Sequence, residues 1–240
     1  MRSEAARQRD RAAALVRGAT GAARTRIASD GRGVAQGARG CARVKRVAVM
    51  GGSSVGKTTV SRRLAETLGV PHVELDALHH DAGWNEAPAE VFKARVRAAF
   101  ESAPDGWVVD GNYRAKLDAL VLEQADTAVH LQPPLLPTFG RALRRTITRT
   151  LTREELWNGN REQIRFLFTP YWIPWWVLRK HRHYAREIPR RVAEHPHLEV
   201  VTLRSDDEVE RWLQSIQATE SMSGSSKGSE RQNTPPLAET

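Results

Sequence analysis

The most specific chemistry in this 240-residue chain lies in one run, Gly51-Gly52-Ser53-Ser54-Val55-Gly56-Lys57-Thr58. It fits G-x-x-x-x-G-K-[ST] at every fixed position. Glycines permit backbone angles that other residues resist, so successive N–H groups can turn inward around a phosphate. The helix expected from Lys57 adds the partial positive charge of its N-terminus. Lys57 supplies a compact cation for β- and γ-phosphates, and the Thr58 hydroxyl is placed to ligate Mg²⁺. The expected nucleotide-binding residues are therefore Gly51, Gly52, Ser53, Ser54, Val55, Gly56, Lys57, Thr58 and Thr59, with ATP and Mg²⁺ as cofactors.

A phosphate loop alone does not say where the phosphate goes. The chain has no Asn/Thr-Lys-x-Asp segment to read guanine, and its one Asp-x-x-Gly, at Asp30, precedes the loop. Asp110 ends the strand-like Trp107-Val108-Val109 and is the candidate second Mg²⁺ ligand. Gly111 follows it, so no adjacent glutamate is present to activate water, which suits transfer to another acceptor. Asp76 ends a second strand-like run, where strand C-termini face the ligand crevice, and can hold an acceptor hydroxyl or cap a helix. Arg141 and Arg145 are four residues apart on an arginine-rich helix and share a face able to stabilise a transferring phosphoryl group. Trp84, after Gly83, is a candidate wall of the acceptor pocket or a packing residue. Expected catalytic residues are Lys57, Asp76, Arg141 and Arg145; Thr58 and Asp110 are the expected metal ligands.

These residues require strands that end together and helices that leave from those ends. Short apolar runs at Arg46–Met50, His72–Leu75, Trp107–Val109, Thr127–Leu131 and Leu198–Leu203 read as strands. Helical periodicity spans Lys57–Leu68, Pro88–Ser102, Tyr113–Gln124, Leu135–Arg149, a stretch ending near Glu194, and Asp206–Ile216. The alternation predicts an α/β three-layer sandwich around a parallel sheet of about five strands, with a lid-like helical segment at about 141–180. That arginine-rich region, 141–191, holds 13 Lys and Arg against 4 Glu, and suits a mobile lid or a surface for acidic partners. Trp172, Trp175 and Trp176 read as core or cap packing, His181 and His183 as a solvated face, and the adjacent His79 and His80 as poorly placed for one shared metal.

The charge of +9 sits outside this body. Residues 1–46 carry 12 Lys and Arg against 3 Asp and Glu, leaving 25 of each sign in the remainder. A neutral body argues against a nucleic-acid-binding core. Residues 1–43 read as a disordered basic extension, produced by a mis-called start or serving as an organelle transit peptide, and residues 219–240 as a flexible tail. The domain is expected at 44–218. A single cysteine, Cys41, and no apolar run long enough to span a membrane fit a reducing cytoplasm.

The segments "VKRVAVMGGSSVGK", "HVELDALHHDAGWNE", "WVVDGNYRAKLD", "ADTAVHLQPP", "RALRRTITR" and "LEVVTLRSDDEVERWL" together resemble the adenylate-kinase-like bacterial proteins often labelled DNA topology modulation protein. The resemblance runs from about Val44 to Leu213. It implies a nucleoside-monophosphate-kinase-like fold using ATP and Mg²⁺, with Asp76 and Arg114 near the acceptor and Arg141 and Arg145 as lid-side arginines. The expected activity is transfer of the ATP γ-phosphate to a small nucleotide or metabolite. The alternative is a nucleotide-dependent regulatory ATPase or DNA-associated protein with no small-molecule acceptor.

Overall fold

The computed structural model describes residues 44–117, 119–152, 154–160 and 172–229. Residues 1–43 and 230–240, on which the expected extension and the end of the tail fall, lie outside them. Strand β1 (Arg46–Gly51) has every residue after Arg46 buried, as a strand covered on both faces must. It lies at the centre of a five-stranded sheet with β2 (His72–Glu74), β5 (Trp107–Asp110), β6 (Thr127–Leu131) and β7 (Glu199–Leu203), in the order β2-β5-β1-β6-β7. All pairings in this sheet are parallel. Parallel neighbours need helical crossovers, and these fill the two outer layers, giving the three-layer α/β fold.

Alternation along β1 divides the core. Val47 and Val49 face one layer with Val60 and Leu64 of helix α1 (Lys57–Leu68); Ala48 and Met50 face the other with Phe92, Val96 and Phe100 of helix α3 (Ala89–Glu101). Phe100 stacks on Trp107 with ring centroids 4.0 Å apart, anchoring α3 under β5. Gly69 stops α1 in the left-handed region at φ 65°, its N–H reaching the carbonyls of Ala65 and Glu66.

Three elements depart from the expectations. The run at His72–Leu75 yields a strand only to Glu74; Leu75–His79 forms a short helix, α2, followed by an antiparallel hairpin of β3 (His80–Asp81) and β4 (Asn85–Glu86). The helix expected over Tyr113–Gln124 is two, α4 (Arg114–Leu117) and α5 (Leu120–Gln124). Leu117 and Leu122 are both buried in one core, yet five helical positions put them about 140° apart, so a break serves both. Helix α6 (Leu135–Thr152) pairs with α7 (Ile173–Ala193), and α7 packs on β1 and β6. The last helix, α8 (Asp206–Ser229), continues past residue 219, where composition predicts a flexible tail. No helix among the described residues is long and apolar enough to cross a membrane.

Candidate functional site

The C-terminal ends of β1, β2 and β5 meet at one rim, because Val49 and Glu74 both pair in register with Asp110. From that rim β1 runs into the glycine-rich loop. Gly56 takes φ 99° immediately before α1, a conformation that favours glycine. The Lys57 ammonium lies back across the loop, donating to the carbonyl oxygens of Gly51 at 3.2 Å and Gly52 at 2.8 Å. Thr58, one residue on, donates its hydroxyl to Asp110 Oδ2 at 2.7 Å. The two expected metal ligands are thus adjacent, and Asp110 is only 3% exposed. A hydroxyl beside a buried carboxylate is a donor set suited to a hard cation such as Mg²⁺.

Burial lowers the Lys57 pKa, Asp76 and Asp110 oppose that by attraction, and Arg145 adds to it by repulsion. Asp76, Asp110 and Arg145 are therefore each within electrostatic reach of Lys57. Asp76 sits inside α2 and makes no capping bond; its Oδ1 accepts a hydrogen bond from the Tyr113 hydroxyl. Burial first, and then the Asp76 carboxylate, push the Tyr113 phenol far above its ordinary value, so the hydroxyl stays a donor. Arg141 reaches over the loop from α6. Its Nε donates to Ser54 O at 3.3 Å and its Nη1 to Asp206 Oδ2 at 3.2 Å, at the start of α8. Arg141 and Arg145 are both half-buried while Arg144 is exposed, as their shared face requires. Arg114 begins α4; its side chain lies outside the description.

The glycine after Asp110 is held there by packing. Gly111 has φ 138°, and a Cβ on it would lie 2.8 Å from Leu75 Cβ. No side chain fits at this position, glutamate included, unless Leu75 moves.

Beyond Asp76 an aromatic and imidazole cluster continues the site. His79 is 3% exposed and packs against Phe92 and Tyr113; burial, then the nearby Lys116 and His80, lower its pKa. The His80 ring lies 4.6 Å from that of His79 and also meets Trp84 edge-on and Trp157 nearly parallel. Trp84 is a non-glycine residue at φ 60°. Its N–H is taken by Asn160 Oδ1 at 2.7 Å, while Asn160 Nδ2 donates to Asp81 O at 3.0 Å and Trp157 O at 2.9 Å. Asn158 donates to Ala77 O at 3.2 Å and to His80 O. The segment after α6 is thereby fastened to the hairpin.

Solved structures to which the chain is similar include shikimate kinase from Bacteroides thetaiotaomicron, at 14% identity and TM-score 0.42, covering 74% of this chain and 98% of that one. Shikimate kinase from Acinetobacter baumannii in complex with shikimate is 17% identical, TM-score 0.40, over 75% and 96%. Gluconokinase from Sinorhizobium meliloti is 17% identical, TM-score 0.41, over 77% and 97%. No family model and no curated protein matches the chain. Nothing in these likenesses supports the DNA-topology label.

Several site residues were not singled out from the sequence. Asn112 donates to Gly51 O and Tyr113 to Asp76; both directly follow the strand ending at Asp110, and that position was their signal. His72 Nε2 lies 3.5 Å from Asp110 Oδ1 through the β2–β5 pairing, which spacing does not reveal. His130, 3% exposed on β6, has its pKa lowered to about 4 by burial and then by Arg204. Of the histidines read as solvated, His183 is exposed and 3.5 Å from Glu187, but His181 is turned toward the phosphate loop, because α7 packs that face on β1 and β6.

Proposed function

We propose that this protein is an ATP- and Mg²⁺-dependent kinase that transfers the γ-phosphate to a small-molecule acceptor. One observation carries the reading: at the rim of the sheet the Thr58 hydroxyl of α1 meets the buried Asp110 carboxylate of β5 at 2.7 Å, beside the Lys57 ammonium that lies across the glycine-rich loop. The loop amides from Gly51 to Thr59 and the Lys57 ammonium hold the nucleotide phosphates. Thr58 and Asp110 hold Mg²⁺. When bound, ATP supplies the phosphoryl group and Mg²⁺ neutralises charge on its oxygens. Arg141 and Arg145 offset the charge that spreads over the group in flight. Asp76, one oxygen fixed by Tyr113, presents the other to the acceptor. As the acceptor oxygen bonds to phosphorus, its proton passes to that carboxylate and ADP departs. Trp84 and Arg114 flank the acceptor side.

The absence of room for a base beside Asp110 supports transfer over hydrolysis. A thermal-shift screen of metabolites with and without Mg²⁺–nucleotide, followed by ADP-release assays on the hits, tests the reading. The expected result is an acceptor that stabilises the nucleotide-bound protein and is phosphorylated one-for-one with ADP formed. ADP release at the same rate with and without every acceptor that stabilises the protein would refute it.

A further inference from the structure

A second group of side chains faces the phosphate loop and has no part in the reaction described above. On α7, Trp176, Lys180 and Tyr184 recur every four residues and share one face. That face closes a small cavity whose floor is Gly52 and Ser53 and whose wall includes His130 and Gln132. The helix sits close on the loop: a Cβ on Gly52 would lie 3.4 Å from Tyr184 Cδ2. Trp176 and Tyr184 both line this cavity, with Lys180 between them along the helix. The Lys180 ammonium lies 5.3 Å from the Trp176 ring centroid. Among the described residues Lys180 forms no ion pair.

A half-buried cation is costly when no anion faces it, and a ring quadrupole offsets that only partly. The other polar wall groups do not supply the anion, since His130 is neutral and Gln132 uncharged. The cavity also has a direction. Its floor is the loop limb whose carbonyl at Gly52 lies 2.8 Å from Lys57 Nζ, so it adjoins the terminal-phosphate end of the loop.

We propose that Lys180 and this cavity form an anion-binding site for phosphate or carboxylate oxygens next to the terminal phosphate. This rests on the nucleotide-binding role of the loop. The oxyanion has two sources, the γ-phosphate itself or an anionic group on the acceptor. Lys180 leaves the Trp176 face to meet it.

Calorimetric titration of the full chain and of Lys180→Met with ADP, with the non-hydrolysable ATP analogue AMPPNP, and with inorganic phosphate added to the AMPPNP-saturated protein tests the site. A loss of about tenfold for AMPPNP with ADP unchanged assigns the site to the γ-phosphate. Unchanged affinity for both nucleotides, with phosphate binding lost, assigns it to the acceptor. Lys180→Arg should keep most of either affinity. Trp emission should change on ligation in the wild type and not in Trp176→Phe, a readout that a purely structural lysine would leave alone. Lys180→Met behaving like wild type with all three probes would overturn the proposal. If the wild type binds neither nucleotide, the loop reading fails separately, and the site is judged on inorganic phosphate alone. Weaker binding by Lys180→Met then keeps it, and equal or absent binding ends it. Should Lys180→Met not fold, Lys180→Gln replaces it in each arm.

Discussion

The two ends of the site are built by different means. The phosphate side is one contiguous loop between β1 and α1: Lys57 closes it on itself, reaching Gly51 and Gly52 six and five residues away, and Asp110, Asn112 and Arg141 tie it to other elements through Thr58, Gly51 and Ser54. The proposed acceptor side is assembled from segments roughly eighty residues apart, with Asn158 and Asn160 clasping the backbone of residues 77–84. A loop held by several separate bonds tolerates loss of one side chain without loss of shape. A wall held by side-chain-to-backbone bonds across a long chain separation does not. Chemistry and stability should therefore separate between the two regions.

That separation can be broken by experiment. Lys57→Ala should lower transfer by on the order of 10³-fold, a loss of about 4 kcal/mol in transition-state stabilisation, with thermal unfolding nearly unchanged. A comparable drop in the melting temperature would erase the contrast. Gly111→Ala forces a methyl group against Leu75 and should cost about 3 kcal/mol in chemical denaturation. His130 gives a pH signature. Its folded pKa of about 4 lies below the unfolded value of 6.5, so the unfolded chain takes up the proton first. The stability it confers is complete above the unfolded value and is lost as pH falls toward the folded one, about 3 kcal/mol in all. His130→Gln should flatten urea midpoints between those two pH values; an unchanged slope would remove His130 as the cause.

On the acceptor side, Asn160→Ala should cost about 2 kcal/mol of stability and speed hydrogen exchange at residues 80–86, while ADP affinity holds. ADP affinity falling in parallel would show that the two sides are one unit. Arg63→Ala is the smallest change. Arg63 is paired with Glu210 across α1 and α8 on the exposed surface, and the unfolding midpoint should not move measurably.

The same contrast governs what the sequence discloses. The loop, β1 and α1 are legible because each is a local pattern, and Thr127–Leu131 is bounded as the apolar run is. Thr58 and Asp110 are legible as a pair because Thr58 opens the helix that follows β1 and Asp110 ends β5, and the C-terminal edge of a parallel sheet gathers both. The hairpin is not, since strands of two residues carry no periodicity. Nor is the fastening by Asn158 and Asn160, because an asparagine read alone is a turn residue and its partner is fixed only by the fold. Lys180 lay within an arginine-rich stretch, where one cation facing inward is indistinguishable from those facing out. Its spacing from Trp176 and Tyr184 was the available clue.

The hydrogen that serves as the side chain of residue 111 also bears on how such a protein can evolve. A kinase of this design would become a hydrolase most directly by acquiring a carboxylate beside Asp110. Here Leu75 occupies the space that carboxylate needs, so the first substitution alone damages the core and the second alone brings no activity. Two coordinated changes are required where one would otherwise serve, and selection meets a barrier between the two trades.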